Sequence, residues 1–132
     1  MQWSKTLLLA TGIAAVSAGA QAKQTICVFD IVGKSGDVYA LMKDYQLAAK
    51  TWGADIELKV GTNEAVIAED FKAGKCDGVS ITGMRGRQFN QFTGSLDAIG
   101  AITDLKLAVK VMQGLASPTF AKAMVNGKYE VV

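Results

Sequence analysis

There is no histidine anywhere in the 132 residues, and that one gap removes several chemistries together. No Ser-His or Cys-His pair can activate a nucleophile, and no imidazole can complete a zinc shell. No two carboxylates stand at a spacing that marks an acid/base couple. The residues therefore point to binding rather than catalysis, with no cofactor and no metal site. Proline is almost missing as well, Pro118 standing alone. Low-complexity tracts and internal repeats are absent. An excess of one charge is also lacking, with 14 Lys and Arg against 12 Asp and Glu. That balance excludes the electrostatic footprint of a nucleic-acid binder or of a strong membrane-surface binder. Cysteine is scarce: Cys27 and Cys76 are too far apart for a C-x-x-C motif, which argues against a redox pair.

One long apolar run is present, at the very start. Lys5 precedes an apolar stretch over residues 7–16, and small residues follow, ending in Ala20-Gln21-Ala22. This is the tripartite pattern of a cleavable secretory leader, with cleavage expected after Ala22. A membrane-spanning helix needs roughly 20 apolar residues, and this run breaks at Ser17, Gly19 and Gln21. Residues 23–132 would then work outside the cytoplasm as a single domain without a membrane span. In that oxidising compartment an even cysteine count favours a disulfide between Cys27 and Cys76.

After the leader the pattern alternates. Residues 25–32 are nearly all apolar, as in a strand buried on both faces of a parallel sheet. A glycine-rich turn at 33–36 leads into a helix with Val38, Leu41, Met42, Tyr45, Ala49 and Trp52 on one face, stopped by Gly53. A second strand at 55–60 is followed by a Thr62-Asn63 cap and a helix carrying Val66, Ile67 and Phe71, ending at Gly74. A third strand runs over 77–82, then a loop at 83–87 and a short polar helix with Gln88, Phe89, Asn90 and Phe92. Residues 96–102 read as a fourth strand. Asp104 caps a helix with Leu105, Ala108, Val109, Met112 and Leu115 inward, and Ser117-Pro118 opens a last helix that stops at Gly127. Residues 129–132 look like the start of another strand, expected to lie at a sheet edge or to fray.

Strands alternating with helices predict an α/β fold, a mostly parallel sheet with helices on both faces. In such sheets ligands sit outside the carboxyl ends of the strands, where strand order reverses. A 2-1-3 order brings the turns after the first and third strands side by side, and it also makes a Cys27–Cys76 bridge geometrically reasonable. Those two turns hold the candidate ligand-binding residues: Asp30, Lys34, Ser35, Thr82, Arg85 and Arg87. Gly33-Lys34-Ser35 is not a phosphate-binding P-loop, because position 28 is valine where that motif requires glycine. It is either a flexible turn or, with free N–H groups at the helix start, a modest anion site. Asp30, at the end of a buried strand, either caps a neighbouring turn or accepts from a ligand at a cleft edge. Arg85 and Arg87 are either solvated surface charges or guanidinium groups gripping a carboxylate, with Arg85 the preferred anchor.

Three segments, "ICVFDIVGKSGD", "EDFKAGKCDG" and "GMRGRQFNQFTGS", lie within a stretch over 25–103 that resembles the periplasmic solute-binding family of the AdeT type. The resemblance implies a fold similar to one lobe of a type 2 periplasmic binding protein and a small-molecule ligand handed to a membrane transporter. Such receptors have two lobes, so the chain is expected to be truncated relative to its relatives. Members have also been named as efflux-pump components linked to aminoglycoside resistance. The alternative function is thus an accessory subunit of an efflux system, which would expose an apolar patch instead of a polar concavity.

Overall fold

The computed structural model describes residues 22–132, and the leader read at residues 1–22 lies outside them except for Ala22. Five elements build the centre of the molecule: β1 (Gln24–Phe29), α1 (Asp37–Thr51), β2 (Ile56–Gly61), α2 (Glu64–Lys72) and β3 (Gly78–Ser80). The strands form one parallel sheet in the order β2-β1-β3, as the alternation predicts. β1 is central because it is the most apolar segment, and Cys27 and Val28 are fully buried within it.

This strand is shorter than the apolar run suggests. Asp30 accepts a hydrogen bond from the N–H of Val32, and the Gly33 N–H donates to the Asp30 carbonyl. Such side-chain-to-backbone turns compete with the sheet ladder. The chain therefore leaves the sheet at Phe29, and Ile31 and Val32 are exposed instead of buried on two faces.

Helix α1 ends where Gly53 takes a left-handed conformation, φ 84°, but its apolar stripe is only partly covered. Ala49 is buried, whereas Val38, Leu41, Tyr45 and Trp52 are exposed, because a sheet of three strands is too narrow to cover the whole face. The Asn63 side chain caps α2 by accepting from the N–H groups of Ala65 and Val66. Ile67 is then set against Cys27 and Cys76, with Phe29, Phe71, Val79 and Ile81 packed around them. This is the core. Cys27 and Cys76 are joined in a disulfide with their Cα atoms 5.8 Å apart.

Beyond β3 the pattern reading needs correction. Residues 83–87 do not form an open loop; Gly83–Gly86 is a helical turn, α3. The expected polar helix at 88–92 is a turn, followed by a second short helix, α4 (Thr93–Leu96). No strand forms at 96–102. Gly100 stands at φ 78°, outside the extended region, and Asp97 turns back to accept from the Met84 N–H at 2.7 Å.

Helix α5 (Leu105–Leu115) begins as expected, with Asp104 accepting from the Leu107 N–H, yet none of its residues is buried. Leu105, Val109 and Met112 are exposed rather than inward. A 3-10 turn (Pro118–Phe120) with proline in its first turn leads into α6 (Ala121–Met124). That helix stops short of Gly127, which instead turns an antiparallel hairpin of β4 (Val125–Asn126) and β5 (Tyr129–Glu130). Residues 129–132 thus lie outside the main sheet. They are held by Tyr129 packing on Phe71 and Phe89, by the Asn126 side chain donating to the Phe89 carbonyl, and by the Val131 N–H donating to the Met124 carbonyl. Among the described residues, no helix is long and apolar enough to cross a membrane.

Candidate functional site

All three parallel strands point their carboxyl ends at one edge, so the segments at 30–36, 62–64 and 81–85 share it. The turn after β1 lies beside Thr62, whose Cγ2 stands 3.4 Å from where a Cβ on Gly33 would be. Across the same edge the Thr82 N–H donates to Glu64 Oε1 at 2.7 Å, which ties the start of α2 to the end of β3.

Asp30 takes the capping role and turns away from solvent. It is 3 % exposed, and its two oxygens accept from the N–H groups of Val32 and Tyr39, both at 3.0 Å. Gly36 is the N-cap of α1 and has no side chain with which to satisfy the first turn, so Asp30 does this from six positions upstream. The hydrogen bonds from Tyr39 and then Val32 hold its carboxyl below the ordinary value against the opposing effect of burial. Lys34 and Ser35 lie in a 3-10 turn (Gly33–Ser35) with exposed side chains.

The second candidate turn does form a concavity. Thr82 caps α3, its hydroxyl accepting from the Arg85 N–H at 3.3 Å. Arg85 extends from that short helix until its Nε lies 3.6 Å from Glu64 Oε2, with the arginine side chain 45 % exposed and the glutamate side chain 17 %. Glu64, Thr82, Met84, Arg85 and Gln88 line an open hollow of about 570 Å³. Gln88 is anchored through its side-chain amide, which donates to the Arg85 carbonyl. Arg87 takes a different direction. Its side chain lies against Gly94 and donates to Met84 Sδ at 3.9 Å, in a neighbouring hollow of about 380 Å³ that includes Asp97 and Ile99.

The structure thus brings Thr82 and Arg85 together, turns Asp30 inward, and sends Arg87 to an adjoining surface. Three lining residues were not read from the sequence as site residues, Glu64, Met84 and Gln88. An acidic residue in a first helical turn ordinarily signals only the helix dipole, so nothing in the pattern marked Glu64 as a wall of the hollow. Among the described residues no group of three or more His, Cys, Asp or Glu side chains could hold a metal.

An acid response follows from the carboxylates. Asp30 and Asp70 are both held below the ordinary value, Asp70 chiefly by hydrogen bonds from Lys75 and Lys59. A carboxyl with a lowered folded-state pKa contributes stability that is fully present above its unfolded value and is lost as pH falls through the folded one. Thermal midpoints should therefore hold above about pH 4 and fall below it. In Asp30→Asn the fall should be shallower, and parallel acid limbs for variant and wild type would contradict the assignment.

Residues 46–132 match the family described as solute-binding protein AdeT 1/2. A protein of Acinetobacter baumannii described as "Probable solute-binding protein AdeT1" is 59% identical over 104 residues, which cover 79% of this chain and 34% of that protein. The chain spans about a third of that relative's length. No solved structure matches.

Proposed function

The chain belongs to the solute-binding protein AdeT 1/2 family, and from that premise we propose that it is exported, loses residues 1–22, and binds a small polar or anionic solute for a membrane transporter. The observation that carries the site is the hollow lined by Glu64, Thr82, Arg85 and Gln88 at the carboxyl edge of the sheet. Open α/β sheets hold their ligands at this edge because the strand ends and helix starts there leave room and free polar groups.

Within the hollow, Arg85 is the anchor for an anionic group. The nearby Glu64 carboxylate restrains the guanidinium, so less side-chain freedom is lost on binding, and a planar fork can grip a carboxylate through two parallel N–H groups. Thr82 fixes the helical turn that carries the arginine. On this reading the chain supplies one lobe of a type 2 periplasmic binding protein, as the family resemblance implies, and the opposite wall of the cleft would come from a second lobe. One wall alone buries less of a ligand, so millimolar affinity is expected.

The test is an amide-shift titration of the processed chain with acetate, succinate and inorganic phosphate. Changes should concentrate at residues 64 and 82–88. Arg85→Ala should weaken binding on the order of tenfold, the low end for losing a charged hydrogen-bonding partner, because the side chain is nearly half exposed. Shifts scattered elsewhere, or an unchanged affinity in Arg85→Ala, would remove this hollow as the site. Export has its own check: N-terminal sequencing of the protein recovered from the periplasm should begin at Lys23, and an intact Met1 would contradict processing.

A further inference from the structure

We propose that the hollow selects a zwitterion, a molecule carrying an ammonium group beside its carboxylate, with Glu64 as the second anchor; this rests on the solute-binding reading of the same site. Two formal charges of opposite sign line the hollow, Glu64 and Arg85, and the other lining residues, Thr82, Met84 and Gln88, are uncharged. The site is thus neutral as a whole and bipolar in detail. A plain anion would be attracted by Arg85 and repelled by Glu64. A polyamine would meet the reverse. A ligand with both charges on neighbouring atoms matches both walls.

Glu64 has the geometry for this. One oxygen, Oε1, is fixed by the Thr82 N–H at 2.7 Å. The other, Oε2, stands 3.6 Å from Arg85 Nε, close enough for attraction but beyond a good hydrogen bond. That oxygen keeps acceptor capacity for an ammonium. With its side chain only 17 % exposed, Glu64 is less screened than a surface carboxylate, so a cation reaching it gains more. Arg85, more exposed, retains donors for the ligand carboxylate. Met84, 61 % exposed, offers an adaptable apolar contact for whatever the ligand carries besides its charges.

The experiment titrates the processed chain by amide shifts with each of the twenty common L-amino acids. For the tightest of them it then uses the acid lacking the amino group and the amine lacking the carboxylate. The amino acid should bind at least tenfold tighter than either fragment. Glu64→Gln, which retains an oxygen for the Thr82 N–H, should reduce amino-acid affinity to that of the deaminated acid without weakening the acid itself. Arg85→Gln should weaken both. If the deaminated acid binds as tightly as its amino acid, or Glu64→Gln changes nothing, the zwitterion inference falls while solute binding at Arg85 stands. If no probe moves residues 64 and 82–88, both fall together.

Discussion

Replacing Cys27 and Cys76 together by alanine is expected to lower the unfolding free energy by about 4 kcal/mol, the chain-entropy value for closing a loop of this length. The two half-cystines are separated by 49 positions, so the bridge restricts a large part of the unfolded chain. In the folded state they are among the most buried residues, 0 % and 5 % exposed, and they touch Ile67 at the centre of the core. Substitution therefore adds a packing loss to the entropic one. Against a total stability of about 5–15 kcal/mol for domains in general, such a loss is a large fraction of the whole. Urea unfolding of the oxidised protein, the reduced protein and the double variant measures it. A midpoint shared by all three would show that the bridge does not support the fold. Mass spectrometry without reductant should find neither thiol open to alkylation.

Gly36→Ala should destabilise by about 3 kcal/mol, the upper part of the range for forcing atoms into filled space. The reason is steric rather than conformational. At φ −91° any residue could occupy position 36, but a Cβ there would overlap the Asp30 carboxylate. To make room, Asp30 would have to abandon the N–H groups of Val32 and Tyr39, leaving them without acceptors. Gly114→Ala is the matching control. Gly114 lies in α5, and the nearest atom to its added Cβ is Phe120 Cε2 at 4.0 Å, so this change should stabilise by about 0.5–1 kcal/mol. The two glycine-to-alanine changes are thus expected to have opposite signs in thermal melts. Equal midpoints for Gly36→Ala and wild type would show that Asp30 does not hold the turn.

Much of the centre of the fold was legible because its signals are local and redundant. Asn63 and Asp104 read as caps and act as caps, Gly53 and Gly74 stop helices through left-handed backbones, and the order of strands and helices yields the 2-1-3 sheet. Where the reading failed, the deciding information was not local. Residues 96–102 combine apolarity with β-branched side chains, but the conformation of Gly100 and the hydrogen bond from Met84 to Asp97 decide against a strand. Periodicity identifies the apolar stripes of α1 and α5, yet it cannot say what covers them. Val38, Leu41, Val109 and Met112 remain exposed because, among the described residues, no neighbouring element packs over them.

The candidate site shows the same division. Asp30 attracted attention as an acid at the end of a buried strand, but its orientation depends on Gly36, six positions on, lacking a side chain. Glu64 escaped notice because its importance lies in being beside Thr82 and Arg85 in space, across 18 and 21 positions of sequence.

The strand order also sets a schedule. β1 comes first in the chain but takes the central place, between β2 and β3, and its second partner is not complete until Ser80. If the chain is exported as proposed, threading through a membrane from its N-terminus delivers its most apolar strand long before either neighbour. Until both arrive, β1 is an open ladder on two sides, the kind of segment that pairs with other chains. The period of greatest exposure to aggregation therefore falls during delivery of residues 30–80, when a holding chaperone on the far side of the membrane would have most effect.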